Sequence, residues 1–113
     1  MAKTDMDREL KKGSTELLIL SLLEGRARHG YDIGRQIEQR SQGVVELHVA
    51  SLYPLLYRLE RRGWVEAEWG TSELGRQAKF YRITAKGRRQ LAADTEQWAR
   101  FSAAVTRVLI PGG

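Results

Sequence analysis

Within "ASLYPLLYRLERRGW", residues 50–64, a hydroxyl, two phenols and three guanidinium groups stand among leucines. Ser51, Tyr53 and Tyr57 can give or accept hydrogen bonds, and Arg58, Arg61 and Arg62 carry fixed positive charge. That set suits phosphate oxygens and base edges, the groups a nucleic acid presents. Two more cations, Arg76 and Lys79, flank a polar stretch farther along the chain. Catalysis finds no comparable support: the carboxylates are scattered, with no Ser-His-Asp order, nucleophile elbow or glycine-rich phosphate loop. His29 and His48 stand apart without metal-site spacing, so they read as structural residues, and neither a metal nor a cofactor is expected.

The elements that position these groups follow from periodicity. Leu52, Leu55, Leu56 and Leu59 fall at i, i+3, i+4 and i+7, a buried stripe at helical period. Pro54 is tolerated only in the first turn of a helix, which puts the start near Ala50 or Ser51 or kinks the opening turn. Gly63 closes that helix. Upstream, Ser14 reads as the N-cap of a first helix rich in leucine on nearly all sides, with Gly25 as its stop, so this helix should be the centre of the core. A basic turn, "GRARHG", leads to a second helix over about Tyr31 to Ser41, with Ile33 and Ile37 inward, Asp32 near its positive end and Gly43 beyond it. Tyr31 is expected to pack this helix onto the first. "VVEL", residues 44–47, is β-branched and reads as a minor strand.

Downstream the period changes to two. "WVEAEWG" sets Val65, Ala67 and Trp69 against Glu66 and Glu68, and "KFYRIT" sets Tyr81 and Ile83 against Phe80 and Arg82, which predicts a β-hairpin with a polar tip. Thr84 then caps a last helix from about Ala85 to Leu109. At 1.5 Å per residue such a helix is about 37 Å long.

The whole chain has 113 residues, 42% of them hydrophobic, enough for one compact domain. Its nineteen Lys and Arg against fourteen Asp and Glu leave a net charge of +5, compatible with nucleic acid or an anionic surface. Without cysteine, disulfides and thiolate chemistry are excluded, and a reducing cytoplasm is the expected setting. The apolar runs fall short of the ~20 residues a membrane span needs, and the N-terminus lacks the apolar core of a signal peptide, so no membrane partner is expected.

Helix, helix, short strand, helix, hairpin is the order of a winged helix-turn-helix, in which the third helix enters the major groove of DNA. At that point the segments "ELLILSLLEGRARHGYDI", "ASLYPLLYRLERRGWVEAEW" and "GRQAKFYRITAKGRRQL" also resemble, in order and spacing, those of PadR-family transcriptional regulators. The likeness runs from about Gly13 to Leu109 and fits the short form with a single C-terminal helix. It implies a homodimeric double-stranded-DNA-binding protein, usually a repressor, whose last helix packs on its partner. Two positions depart from the pattern. Ala50-Ser51 stands where the family often has Gly-Thr, which keeps a hydroxyl, and Gln77 and Ala78 interrupt the basic run of the wing.

The expected fold is therefore mainly α with a small β-hairpin, divided into a flexible or short helical N-terminus over 1–12, a winged helix-turn-helix over 13–84, a dimerisation helix over 85–109 and a disordered tail over 110–113. Expected DNA contacts are Ser51, Tyr53, Pro54, Tyr57, Arg58, Arg76 and Lys79, with Arg58 the leading phosphate ligand. Tyr53 and Tyr57 also admit a plain reading as amphipathic residues at the rim of the core. Leu91, Trp98 and Val105, with Phe101 and Val108, form an a/d seam interrupted by Asp94, which predicts dimerisation and a pseudo-palindromic operator. The plain reading of Trp98 is an aromatic that packs the centre of that interface; the resemblance implies for some members that paired indoles accept a flat aromatic effector, with Asp94 here attracting a cationic group. The competing reading is a winged-helix module that binds protein through its third helix, but a Leu, Phe or Met patch there would suit it better than hydroxyls and arginines.

Overall fold

The computed structural model describes residues 5–110 and 112. Helix α1 spans Asp5–Gly25, strand β1 Arg28–His29, α2 Gly30–Arg40, α3 Val49–Arg61, β2 Val65–Thr71, β3 Gln77–Ile83 and α4 Ala85–Leu109. The first four residues of the expected flexible or short helical N-terminus, and Pro111 and Gly113 of the expected tail, lie outside the described residues.

Ile19, Leu20, Leu22 and Leu23 bring α1 into the middle of the core, against Ile33 and Ile37 of α2, the four leucines of α3, Val65, Tyr81, Ile83 and Leu91. The helix starts at Asp5, so Ser14 lies inside it and is not its N-cap. A capping residue in mid-sequence did not stop the helix from running upstream through Gly13.

Two helix ends show why local residues set these limits. At the end of α3 the Gly63 amide donates to the Glu60 carbonyl and the Trp64 amide to Leu59, the paired bonds of a Schellman motif, with Gly63 at φ +77. Helix α2 closes in the same way, with Gly43 donating to Glu38 and Gln42 to Gln39. There Gln42, not Gly43, occupies the capping position, at φ 55. Thr84 caps α4 as expected: its hydroxyl oxygen accepts from the Gly87 amide at 3.0 Å and its hydroxyl donates to the Gly63 carbonyl at 2.6 Å.

The sheet is antiparallel with order β1-β3-β2. In the hairpin Val65 faces Ile83, Ala67 faces Tyr81, Trp69 faces Lys79 and Thr71 faces Gln77. The third strand is not "VVEL". Residues 44–47 form no strand, because the Ser41 hydroxyl takes the Val45 amide at 3.0 Å and Val45 and Leu47 pack as side chains on the core. The strand partner of β3 is instead the basic turn, with Arg28 opposite Tyr81 and His29 opposite Phe80. Arg28 is buried there, donating to the Asp32 carboxylate at 2.9 Å.

Candidate nucleic-acid interface

The α3 leucines fix how that helix faces. With Leu52, Leu55, Leu56 and Leu59 inward, Pro54, Tyr57 and Arg61 lie on the opposite, outermost side. Tyr53 and Glu60 flank it toward the hairpin, and Ser51, Arg58 and Arg62 flank it toward α1. The helix begins at Val49 with His48 as N-cap, so Pro54 stands in the second turn, later than expected from its chemistry. It lacks the N–H that would reach the Ala50 carbonyl, and both residues are exposed, so solvent can take that acceptor. His48 makes no side-chain cap bond, whereas His29 and Thr84 cap their helices. The first amides of α3 are thus left as donors at the positive end of the helix.

The arginines of α3 fall into two groups. Glu16 of α1 pairs with Arg58 at 3.7 Å and with Arg62 at 3.2 Å, and Arg62 also lies 5.0 Å from the Trp64 ring. The Arg58 Nε is buried and without a hydrogen-bond partner among the described residues. Arg58 therefore faces the α1 side and is not the outermost cation. Arg61 is: it is exposed, stacks at 5.8 Å from the Tyr57 ring, and has no ion-pair partner among the described residues. The signal for Arg61 was present in the sequence, seven residues along from Pro54 and four from Tyr57, opposite the leucines.

On the hairpin, Arg76 closes the tip, its carbonyl accepting from the Ser72 amide at 2.7 Å, and its side chain is exposed without an ion pair among the described residues. Lys79 turns back toward α3 and meets Glu60 at 3.6 Å, tying the wing to the helix. Burial falls along β2 from Val65 through Ala67 to an exposed Trp69 as the hairpin leaves the core. Tyr31 does not pack α2 onto α1. It is 67% exposed, stacked on His29 at 6.5 Å, because the α1–α2 contact is made by Ile33 and Ile37 instead. Tyr53 lies half-exposed over Gly30, where an added Cβ would come within 2.6 Å of its hydroxyl oxygen. Between α3, the start of α2 and the hairpin these residues bound an open groove of about 1000 Å³.

Behind the groove, Asp32 gathers Arg28 at 2.9 Å, Arg35 at 3.4 Å and Arg26 at 3.9 Å. Burial alone would raise its carboxyl, but the Arg28 hydrogen bond and charge, with hydrogen bonds from Arg35 and Gln36, hold it below the ordinary value. Burial, then the charges of Glu60 and Tyr53, push the Tyr81 phenol up from its ordinary value.

Along α4 the expected seam divides. Leu91 is buried in the chain's own core rather than presented to a partner. Trp98 is 47% and Phe101 54% exposed, with rings 6.2 Å apart, and Val105 and Val108 continue the same exposed face. Asp94 is half-buried and accepts from Gln90 Nε2 at 2.9 Å.

The family model "Transcriptional regulator PadR-like family" matches residues 19–93, from the α1 core through the wing into α4. The chain belongs to the PadR-like family of transcriptional regulators. A PadR-like transcriptional regulator from Bacillus cereus has the same fold, with a TM-score of 0.79 at 29% identity over 90% of this chain and 97% of that one. A PadR-family regulator from Eggerthella lenta gives 0.77 at 29% identity over 95% and 91%. An uncharacterised protein of Lysinibacillus sphaericus is 32% identical over 80% of this PadR-like chain and 84% of its own length. Among the described residues of the PadR-like chain, no helix is long and apolar enough to cross a membrane.

Proposed function

We propose that this PadR-like protein is a sequence-specific double-stranded-DNA-binding regulator that acts as a homodimeric repressor. The observation that carries the reading is the outermost face of α3. Tyr57 and Arg61 stand there unshielded over a fully buried leucine stripe, beside a helix start whose amides are uncapped and a wing tip bearing an unpaired Arg76. In this reading Ser51, Tyr53, Pro54 and Tyr57 approach base edges and sugars from the first turns of α3. Arg61 and Arg76 neutralise phosphates, and Lys79 holds the wing against the helix until a phosphate competes for it. Arg58 reaches phosphate only by leaving Glu16.

The exposed second half of α4 supplies the dimer contact through Trp98, Phe101, Val105 and Val108. A two-fold axis there would set two α3 helices about 34–36 Å apart on a pseudo-palindromic site. A flat aromatic effector lodged between the paired Trp98 rings, near Asp94, would release DNA only if it binds one splay of the two modules better than the other.

The test is fluorescence anisotropy on a genomic operator, identified by footprinting, at two salt concentrations. Wild type should lose affinity steeply as salt rises, because each neutralised phosphate releases counterions. Arg61→Ala should flatten that slope by about one ion, and Tyr57→Ala should weaken operator binding by roughly 1–3 kcal/mol. Affinities equal to wild type in both variants would remove α3 from the interface.

A further inference from the structure

We propose that Leu74, at the tip of the wing, is an apolar wedge that enters the minor groove of DNA and unstacks one base step. The protein then selects its site partly by how easily that step opens. The inference rests on the DNA reading given above and adds to it a residue that reads deformability rather than base edges.

The hairpin is built to carry one side chain outward. Its strands pair from the buried Val65 and Ile83 to the exposed Thr71 and Gln77. Seven residues at ~3.3 Å each carry that end about 23 Å from the core. The tip beyond is short and internally bonded. The Ser72 amide donates to the Arg76 carbonyl at 2.7 Å and the Gly75 amide to the Ser72 carbonyl at 2.9 Å, while the Arg76 amide donates to the Ser72 hydroxyl oxygen at 3.3 Å. Gly75 supplies the φ of +76 that the turn requires. Leu74 stands inside this turn, 82% exposed, as the one large apolar side chain between Gly70 and Ala78. A leucine that flexed on a loose loop would collapse onto its surroundings; this one is held out by the backbone bonds around it.

The outer end of the wing is also thin. Gly70 faces Ala78 across the last rungs, and a Cβ on Gly70 would meet the Phe80 ring at 3.1 Å. Gly75 adds no bulk at the turn. A minor groove about 6 Å wide excludes a helix but accepts a slim turn with one projecting side chain. Leucine is among the residues that proteins insert there between base steps. Arg76 stands two positions along, exposed and without an ion pair among the described residues, where it can take a phosphate beside the opened step. Glu73, the other charged residue of the tip, is repelled by phosphate. A purely electrostatic clamp would not carry it, and charge does not account for Leu74.

The test places 2-aminopurine, which brightens when unstacked, at successive positions of a footprinted operator. Binding of the full-length protein should raise emission about threefold or more at one step per half-site, outside the segment covered by α3. Leu74→Ser, at an exposed position, should leave thermal unfolding unchanged, abolish that rise and weaken operator binding about tenfold, whereas Leu74→Met should keep both. Changing the step from a flexible pyrimidine–purine to a stiff A-tract step should cost wild type about tenfold and Leu74→Ser little. Flat emission at every position, a rise that survives in Leu74→Ser, or an equal loss for operator and unrelated duplex overturns the wedge and leaves DNA on α3. If the Leu74-dependent rise persists while Tyr57→Ala and Arg61→Ala bind as wild type, the wedge stands and the placement of α3 falls. If no duplex is bound above the non-specific level, both fall.

Discussion

In α3 the apolar stripe ends inside the molecule: Leu52, Leu55, Leu56 and Leu59 are all buried, and beyond the exposed Val49 and Ala50 of the first turn what remains outside is proline, tyrosine, serine, glutamate and arginine. In α4 the stripe is divided. Gly87 and Leu91 are the buried residues of a 25-residue helix, and beyond them Trp98, Phe101, Val105 and Val108 stand exposed on the side that Leu91 began. Tyrosine and arginine keep a polar end in water at little cost. Trp, Phe and Val do not, since burying each such side chain is worth about 1.5–3 kcal/mol. The two leftover surfaces are therefore suited to different partners, one to a hydrated polyanion and the other to protein.

The largest expected effect removes the buried half of this comparison. Leu56→Ala, at a fully buried position, should destabilise the fold by about 2–5 kcal/mol through lost burial and the cavity left behind. Urea unfolding should show the same loss at low and high protein concentration. A loss that shrinks on dilution would mean the α3 stripe is also an intermolecular surface, and the comparison would break.

Phe101→Asp tests the exposed half. Placing a charge in the centre of the exposed α4 face should weaken the proposed dimer by roughly 2–4 kcal/mol, the scale of an interface hot spot. Sedimentation at micromolar concentration should then report monomer, with helicity by circular dichroism unchanged. Wild type that is itself monomeric at tens of micromolar, or a variant that stays dimeric, would leave the exposed face without its partner.

Much of this division was legible from residue spacing, and the failures share one cause. The α3 stripe, the alternating faces of the hairpin strands and the Thr84 cap of α4 depend on residues close in sequence, so period and capping chemistry reached them. Spacing gives the angle of a residue around a helix but not which neighbour covers it. Leu91 lies on the same stripe as Trp98, yet the body of the chain covers only the first. Arg58 looked outward until Glu16, from a helix far upstream, was brought beside it. Strand β1 is two residues long, too short for any alternation, and exists because β3 offers it an edge. Tyr31 was read inward because nothing local distinguishes a core tyrosine from a groove tyrosine.

Acid should separate the winged-helix module from the α4 seam. The Asp32 carboxyl titrates below its ordinary value near 3.8, so its contribution is fully present above that value and is lost as pH falls through the folded one. Unfolding followed from pH 7 to pH 2 should show wild-type stability dropping at the acid end. Asp32→Asn should lower stability at pH 7 by about 1–3 kcal/mol, since buried Arg28 loses its charged partner, and should flatten the acid limb. An equally steep acid limb in the variant would show that other carboxylates govern it.

The smallest effect concerns the boundary between the two surfaces. Glu16 holds Arg58 at 3.7 Å and Arg62 at 3.2 Å, on the flank of α3 where the outward face gives way to the α1 contact. Both pairs are partly solvent-exposed, so each contributes at most about 1 kcal/mol to the fold, and losing them should barely change stability. Their effect on DNA should be visible because it has a sign. A carboxylate beside two phosphate-seeking guanidiniums repels the polyanion and competes for the same donors. Glu16→Gln should therefore raise affinity for operator and for unrelated duplex alike, by a few-fold at low salt, and steepen the salt dependence by up to two ions. A gain confined to the operator would mean that Arg58 or Arg62 reads bases rather than phosphate. No gain at any salt concentration would place DNA wholly on the Tyr57–Arg61 side, with the α1 flank serving the fold alone.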